Sequence, residues 1–159
     1  MPGICLTSTR AASPGLEHCV TASHDTSTAP PASEEATGRQ VMVVEDEPFV
    51  RRLTARLLQE AGYAVHETKD GLEALEFVQA APELLDVVVS DVVMPRLNGV
   101  ELLQRLSTVC PDLPCILISG YGFEQLAGFG ITAPCGMLTK PVASQVLLDE
   151  VHRCLRQRT

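Results

Sequence analysis

From Gln40 onward the chain alternates short aliphatic runs with longer amphipathic stretches. The runs Val41–Val44, Val87–Val89 and Cys115–Ile118 are short and rich in β-branched residues. They carry no polar alternation, the pattern of strands covered on both faces of a parallel sheet. Ala64–Thr68 gives a weaker strand pattern, and Cys135–Leu138 a weaker one still. Helical spacing fills the intervals. Pro48 suits a first helical turn, Val50, Leu53 and Leu57 recur on one face, and Gly62 is placed to end that helix. Leu72, Leu75 and Val78 mark a second helix stopped by Pro82, and Leu102, Leu103, Leu106 and Cys110 a third stopped by Pro111. Leu147, Val151, Cys154 and Leu155 mark the last. The order is strand–helix repeated five times. Right-handed crossovers then predict an α/β fold, a doubly wound parallel sheet with helices on both faces. The stretch Gly120–Gly136 holds 5 of the 11 glycines, so its helix is expected to be short and poorly determined.

Residues 1–39 have a different texture. Ala, Ser, Thr, Pro and Gly supply 24 of these 39 positions, and only Met1, Ile4, Leu6, Leu16 and Val20 are sizeable apolar residues. Such a segment buries too little surface to offset its ordering entropy. It is expected to be a disordered tail or linker, with 40–159 as the folded domain. The whole chain, 159 residues with 45% hydrophobic and 20% charged, is the size of about one domain. With 4% aromatic residues and no Trp, its core must be aliphatic.

A net charge of −8 argues against nonspecific nucleic-acid binding, which needs a basic surface to displace phosphate counterions. No apolar run approaches the roughly 20 residues of a membrane span. Residues 1–10 lack the charged and apolar regions of a secretory signal, so a cytoplasmic protein is expected. Six cysteines, Cys5, Cys19, Cys110, Cys115, Cys135 and Cys154, form no C-x-x-C pair and have no His at a ligand-like offset. They are expected to be reduced thiols acting as small hydrophobes.

The chemistry gathers where such a fold would put it. In open α/β sheets, ligands bind outside the carboxyl ends of the strands. Glu45, Asp46 and Glu47 follow the first strand, Ser90-Asp91 ends the third, Ser119 ends the fourth, and Thr139-Lys140-Pro141 follows the fifth. Each alone has an ordinary explanation as a cap, a turn or a surface charge. Together they bring carboxylates, a hydroxyl and an ammonium to one rim. Clustered carboxylates suit a hard cation such as Mg²⁺, and a nearby lysine suits a second anion such as a phosphoryl group. Asp91 is a candidate nucleophile, since aspartyl phosphates are established covalent intermediates.

The segments Val41–Pro48, Ser90-Asp91-Val92-Val93-Met94-Pro95, Asn98-Gly99, Ile118-Ser119-Gly120 and Leu138-Thr139-Lys140-Pro141 together resemble the receiver domain of bacterial response regulators, over about residues 40–157. The resemblance implies a five-stranded, flavodoxin-like (βα)5 fold with strand order 2-1-3-4-5. It makes Asp91 the phosphoacceptor, taking a phosphoryl group from a histidine kinase or a histidine phosphotransfer protein. Glu45 and Asp46 match the acidic pair that holds Mg²⁺, with Mn²⁺ able to substitute, and Asp46 is the more direct ligand. Val93 would lend the metal its backbone carbonyl. Ser119 matches the hydroxyl that bonds the phosphoryl group, Lys140 the lysine that pairs with it, and Pro141 the often cis proline after it. Met94, Pro95 and Gly99 match loop-shaping positions. Val93 and Tyr121 match the positions that line the approach of hydrolytic water. The implied protein is a signalling phosphoacceptor with slow autophosphatase activity and not an enzyme in the ordinary sense. It would act through protein partners, without nucleic acid or membrane contact, as a monomer or weak homodimer.

Two positions depart from the family pattern. Glu45 stands for the commoner Asp, and Met137 stands where Tyr or Phe is usual. Two rival readings are a degenerate receiver serving only as a binding module and a Mg²⁺-dependent phosphohydrolase of the haloacid-dehalogenase type. The second would require Asp-x-Asp after its first strand and a cap insertion, and Glu45-Asp46-Glu47 lacks that form. His18, His24, His66 and His152 are not placed as phosphotransfer histidines, since His66 lies in a strand pattern and His152 in the last helix. The segment Ser27–Glu35 has linker composition, which suits either a stand-alone regulator or the C-terminal receiver of a hybrid sensor kinase.

Overall fold

The computed structural model describes residues 38–121 and 133–158. The expected fourth helix, most of the 1–39 segment, Cys5, Cys19, His18 and His24 lie outside them. The strands are β1 (Gln40–Val44), β2 (Ala64–Thr68), β3 (Val87–Asp91), β4 (Cys115–Ser119) and β5 (Gly136–Thr139). The helices are α1 (Pro48–Glu60), α2 (Gly71–Ala80), α3 (Gly99–Val109) and α4 (Ser144–Gln157). All four pairings are parallel, and the sheet order is β2-β1-β3-β4-β5, as expected.

Alternation along the inner strands builds a core on each face of the sheet. Met42, Val44, Val88, Cys115 and Leu117 face one side, where Leu75 and Val78 of α2 and Leu102 and Leu106 of α3 cover them. Val41, Val43, Val87, Val89 and Ile116 face the other, under Leu58 of α1 and Leu147, Val151 and Leu155 of α4. The two weakest strand patterns, β2 and β5, prove to be the sheet edges. An edge strand is less enclosed and tolerates polar residues, which dilutes its signal.

Local signals set the helix ends. Glu47 caps α1 ahead of Pro48, Asp70 caps α2 by accepting from the amides of Leu72 and Glu73, and Asn98 and Glu101 form a capping box on α3. Gly62 turns the chain out of α1 at φ +99°, a conformation that favours glycine.

On α1 the fully buried residues are Ala55 and Leu58, Leu57 packs at the edge of the core, and Leu53 is 60% exposed. Val50, Leu53 and Leu57 share one face and line a groove between α1 and Pro141, Val142 and Leu147. One expectation is corrected, that of the thiols. Cys135 and Cys154 are joined in a disulfide, with 5.9 Å between their Cα atoms, while Cys110 and Cys115 are free. The pairing arises because the residue leading into β5 packs against the last turns of α4. A 19-residue separation carries no spacing signature of that contact.

Candidate functional site

Parallel strands bring their carboxyl ends to one rim, and the register fixes who meets there. Asp91 pairs with Ile118, and Ser119 with Thr139, so Lys140 follows directly beside Ser119. The amide of Lys140 donates to the carbonyl of Ser119 at 2.8 Å. The Lys140–Pro141 bond is cis.

Three carboxylates converge at this rim. Oxygen atoms of Glu45, Asp46 and Asp91 lie within 4.8 Å of one another. Glu45 and Asp91 are buried, each 7% exposed, and Asp46 faces solvent. Lys140 Nζ lies 2.6 Å from Asp91 Oδ2 and 3.4 Å from Glu45 Oε2. Asp91 Oδ1 accepts from the amide of Val93 at 3.3 Å, and one Glu45 oxygen accepts from the amide of Glu47 at 3.2 Å. Ser119 is fully buried, and its Oγ accepts from the amide of Tyr121 at 3.0 Å. That bond leaves the hydroxyl hydrogen available to another acceptor.

The electrostatics follow from burial and crowding. Burial, and next the charge of Asp91, push the Glu45 carboxyl above its ordinary value, partly offset by the Glu47 amide and Lys140. For Lys140, burial alone would favour the neutral amine. The hydrogen bond to Asp91, its charge and that of Glu45 outweigh burial and hold the ammonium form more firmly than usual. This is an acidic pocket partly neutralised by one cation. Its hard oxygen donors fit a hard divalent ion such as Mg²⁺, which would relieve the repulsion that raises Glu45.

A sign follows for stability. A carboxyl whose pKa is higher in the folded chain than in the unfolded one weakens the fold as pH rises through those two values. The cost is absent below the ordinary 4.5 and fully developed above the raised value. In EDTA at about pH 7, Glu45→Gln is therefore expected to melt higher than the wild type. The gap should close as pH falls below 4.5. Thermal melts of both proteins across that range check it, and an unchanged gap would show that burial and the Asp91 charge do not raise the Glu45 carboxyl.

Two of the remaining expected residues, Val93 and Tyr121, share a cleft. Val93 is 59% exposed, with its amide turned to Asp91. Tyr121 is also 59% exposed and lines one shallow cleft with Val93, Met94 and Asn98. Met137 is half-buried and packs against the core on the α2–α3 face. Pro95 lies in the loop between Asp91 and α3, and a Cβ at Gly99 would collide with the carbonyl oxygen of Asp91. Only glycine lets α3 begin against the acidic strand end. His66 and His152 have structural surroundings: the first contacts Gln40 at 3.0 Å and packs at a tilt against the ring of Phe77, and the second does the same against Tyr63.

Sequence reasoning missed the braces of the site. Arg51, one turn into α1, donates to the carbonyl of Glu45 at 2.7 Å and lies 3.6 Å from Glu67. It ties the acidic turn to β2. Buried Asp70 pairs with Arg96, which sits in the loop after Asp91 at φ +67°. That ion pair fastens the loop to the N-terminus of α2. Neither pairing has a local sequence signal, because each joins segments separated by a strand or a helix.

Comparison with known proteins agrees with this geometry. The sequence pattern of the response regulator receiver domain matches residues 41–152. The chain is 38% identical over 128 residues to the sensor kinase CckA of Brucella abortus, covering 80% of this chain and 14% of that protein. It is 36% identical over 122 residues to the response regulator MprA of Mycolicibacterium vanbaalenii, covering 76% of this chain and 52% of that one. The chain thus spans about half or less of these relatives. Among solved structures, the receiver domain of a hybrid histidine kinase CckA superposes with a TM-score of 0.61 at 34% identity, covering 73% of this chain and 98% of that one. Among the described residues no helix is long and apolar enough to cross a membrane. The order of the parallel strands, the acidic rim they assemble and these matches lead to one conclusion: the chain belongs to the response regulator receiver domain family of two-component signalling.

Proposed function

We propose that Asp91 is the phosphoacceptor and that Glu45, Asp46, Asp91 and the backbone carbonyl of Val93 hold a Mg²⁺ ion beside it. The observation that carries this reading is the position of Asp91, buried at the end of β3 between two carboxylates and the Lys140 ammonium. When bound, the cation would neutralise charge on the incoming phosphoryl oxygens. The chain's own residues do the rest. A carboxylate oxygen of Asp91 attacks phosphorus, the P–O bond forms as the P–N bond to the donor histidine breaks, and the imidazole leaves with a proton. Lys140, already at Asp91, then pairs with a phosphoryl oxygen, and the free hydrogen of the Ser119 hydroxyl bonds another. The test is labelling by a small-molecule phosphodonor. One site per chain is expected to be modified in Mg²⁺ or Mn²⁺ and none in EDTA.

Receiver domains work with histidine kinases and phosphotransfer proteins, and we assign the groove beside α1 to that partner. Leu53 is exposed there, and the groove runs into Glu45 and Lys140 at the rim. The setting is the cytoplasm, where such donors operate. For the metal, Asp46→Ala is expected to weaken Mg²⁺ binding by about fivefold, about 1 kcal/mol, because it removes a converging oxygen. Glu47→Ala should change it little, since the Glu47 side chain caps α1. Equal effects in a Mg²⁺ titration would overturn Asp46 as the ligand. We also assign the folded domain to 40–159 and read 1–39 as a tail. Deleting 1–38 should then move the melting temperature by less than about 2 °C.

A further inference from the structure

The geometry points to Cys135–Cys154 as a reversible thiol–disulfide exchange site, in which an external thiol attacks Cys135 and Cys154 leaves. This inference is independent of the phosphoacceptor reading, since neither sulfur lies at the acidic rim. The two sulfurs differ in access. Cys135 precedes β5 and is half-buried, whereas Cys154 is fully buried in the core under α4. An attacking thiolate therefore meets Cys135 first. A cleft lined by Pro111, Pro114, Gln157 and Arg158 leads to the pair.

The surroundings provide for both products. The Arg153 guanidinium, held by Glu150 and by the carbonyl of Cys135, places Nη2 3.6 Å from Cys154 Sγ. A cation there stabilises the departing thiolate and speeds its release. Gln157 Oε1 lies 3.4 Å from Cys135 Sγ, an acceptor that a thiol can use and a disulfide sulfur cannot. By contrast, burial pushes the free Cys115 thiol up to about 12, so it does not compete as a nucleophile.

The exchange balances with two equivalents of a low-molecular-weight thiol. The first thiolate attacks Cys135 Sγ, the Cys135–Cys154 bond breaks, and Cys154 leaves and takes a proton. The second attacks the external sulfur of the mixed disulfide, releasing Cys135 as a thiol and the small molecule as its own disulfide. The protein gains two electrons and two protons, and the two small thiols lose them. A reducing thiol pool thus opens the bridge, and oxidation closes it again. Closure fastens the lead-in to β5, the strand that Lys140 follows, to the last turns of α4.

The test uses the full chain, oxidised in air and then exposed to millimolar glutathione without denaturant. Alkylation with peptide mapping should show no label on either cysteine before reduction and label on both after it. Cys135 should react about tenfold faster than Cys154. Given glutathione disulfide instead, the Cys154→Ser variant should take glutathione onto Cys135, releasing one reduced glutathione, and Cys135→Ser should leave Cys154 unmodified. Opening a loop of this size should lower the melting temperature of the wild type by about 10 °C. Label on both cysteines before reduction, reduction only in denaturant, or faster reaction at Cys154 would each overturn the inference. The wild-type labelling order decides it even if Cys154→Ser does not fold.

Discussion

Replacing Asp91 by Asn is expected to abolish Mg²⁺-dependent labelling by a small phosphodonor. Asn keeps the size and hydrogen-bonding shape of the side chain, so the amide of Val93 still has an oxygen to meet. What it loses is the carboxylate, both the nucleophile and one of three converging oxygens. The melting temperature should change little, because two effects oppose. The substitution removes the repulsion that raises Glu45, and it also removes the closest partner of Lys140. The pair with Lys140 is half-exposed on the lysine side and contributes little net stability. A folded, unlabelled variant is the expected result, read by intact mass and thermal melts on the same sample. Persistent Mg²⁺-dependent labelling of the Asn variant would move the acceptor elsewhere on the rim.

The sequence was most readable where burial is complete and least readable where contacts are long-range. β1, β3 and β4 stand out because both of their faces are covered, so nearly every position must be apolar. The acidic rim was readable for a topological reason. Parallel strands end on the same side, so residues after each strand can be gathered without knowing any loop. On α1, Val50, Leu53 and Leu57 satisfy helical spacing as well as Ala55 and Leu58 do, though they line a groove and the latter are fully buried. Hydrophobic periodicity alone does not tell a core face from a groove. The Arg51–Glu67 pair, the Asp70–Arg96 pair and the Cys135–Cys154 bridge share one property: each joins parts of the chain brought together only by the finished fold. The expectation of reduced thiols came from compartment and spacing, and neither reports on how β5 meets α4.

Loss of the phosphoryl group from the acceptor is expected to be slow in this protein and to quicken when the water path is made polar. Hydrolysis needs a water in line with phosphorus, and side chains at the mouth of the site admit, orient or exclude it. The structure places Val93 and Tyr121 on one cleft beside the rim, both exposed, one apolar and one aromatic. Each is also bound to the site through its backbone: the Val93 amide meets Asp91, and the Tyr121 amide meets Ser119. Their side chains can therefore be changed while the contacts to the acceptor and the hydroxyl remain. Neither offers an acid or amide to hold a water, so the wild-type signal should persist until back-transfer or a partner phosphatase removes it. In the double variant Val93→Asn, Tyr121→Glu, an amide and a carboxylate at the same mouth can orient that water. A positioned group of this kind contributes about a hundredfold or more in favourable sites. We expect decay about tenfold faster, about 1.4 kcal/mol off the barrier, because both groups remain solvent-exposed. The measurement is the decay of the isolated phosphoprotein in Mg²⁺, followed by intact mass for both proteins. Equal decay rates would show that these two side chains do not gate the water, and persistence would then have to come from the shielding of Asp91 itself.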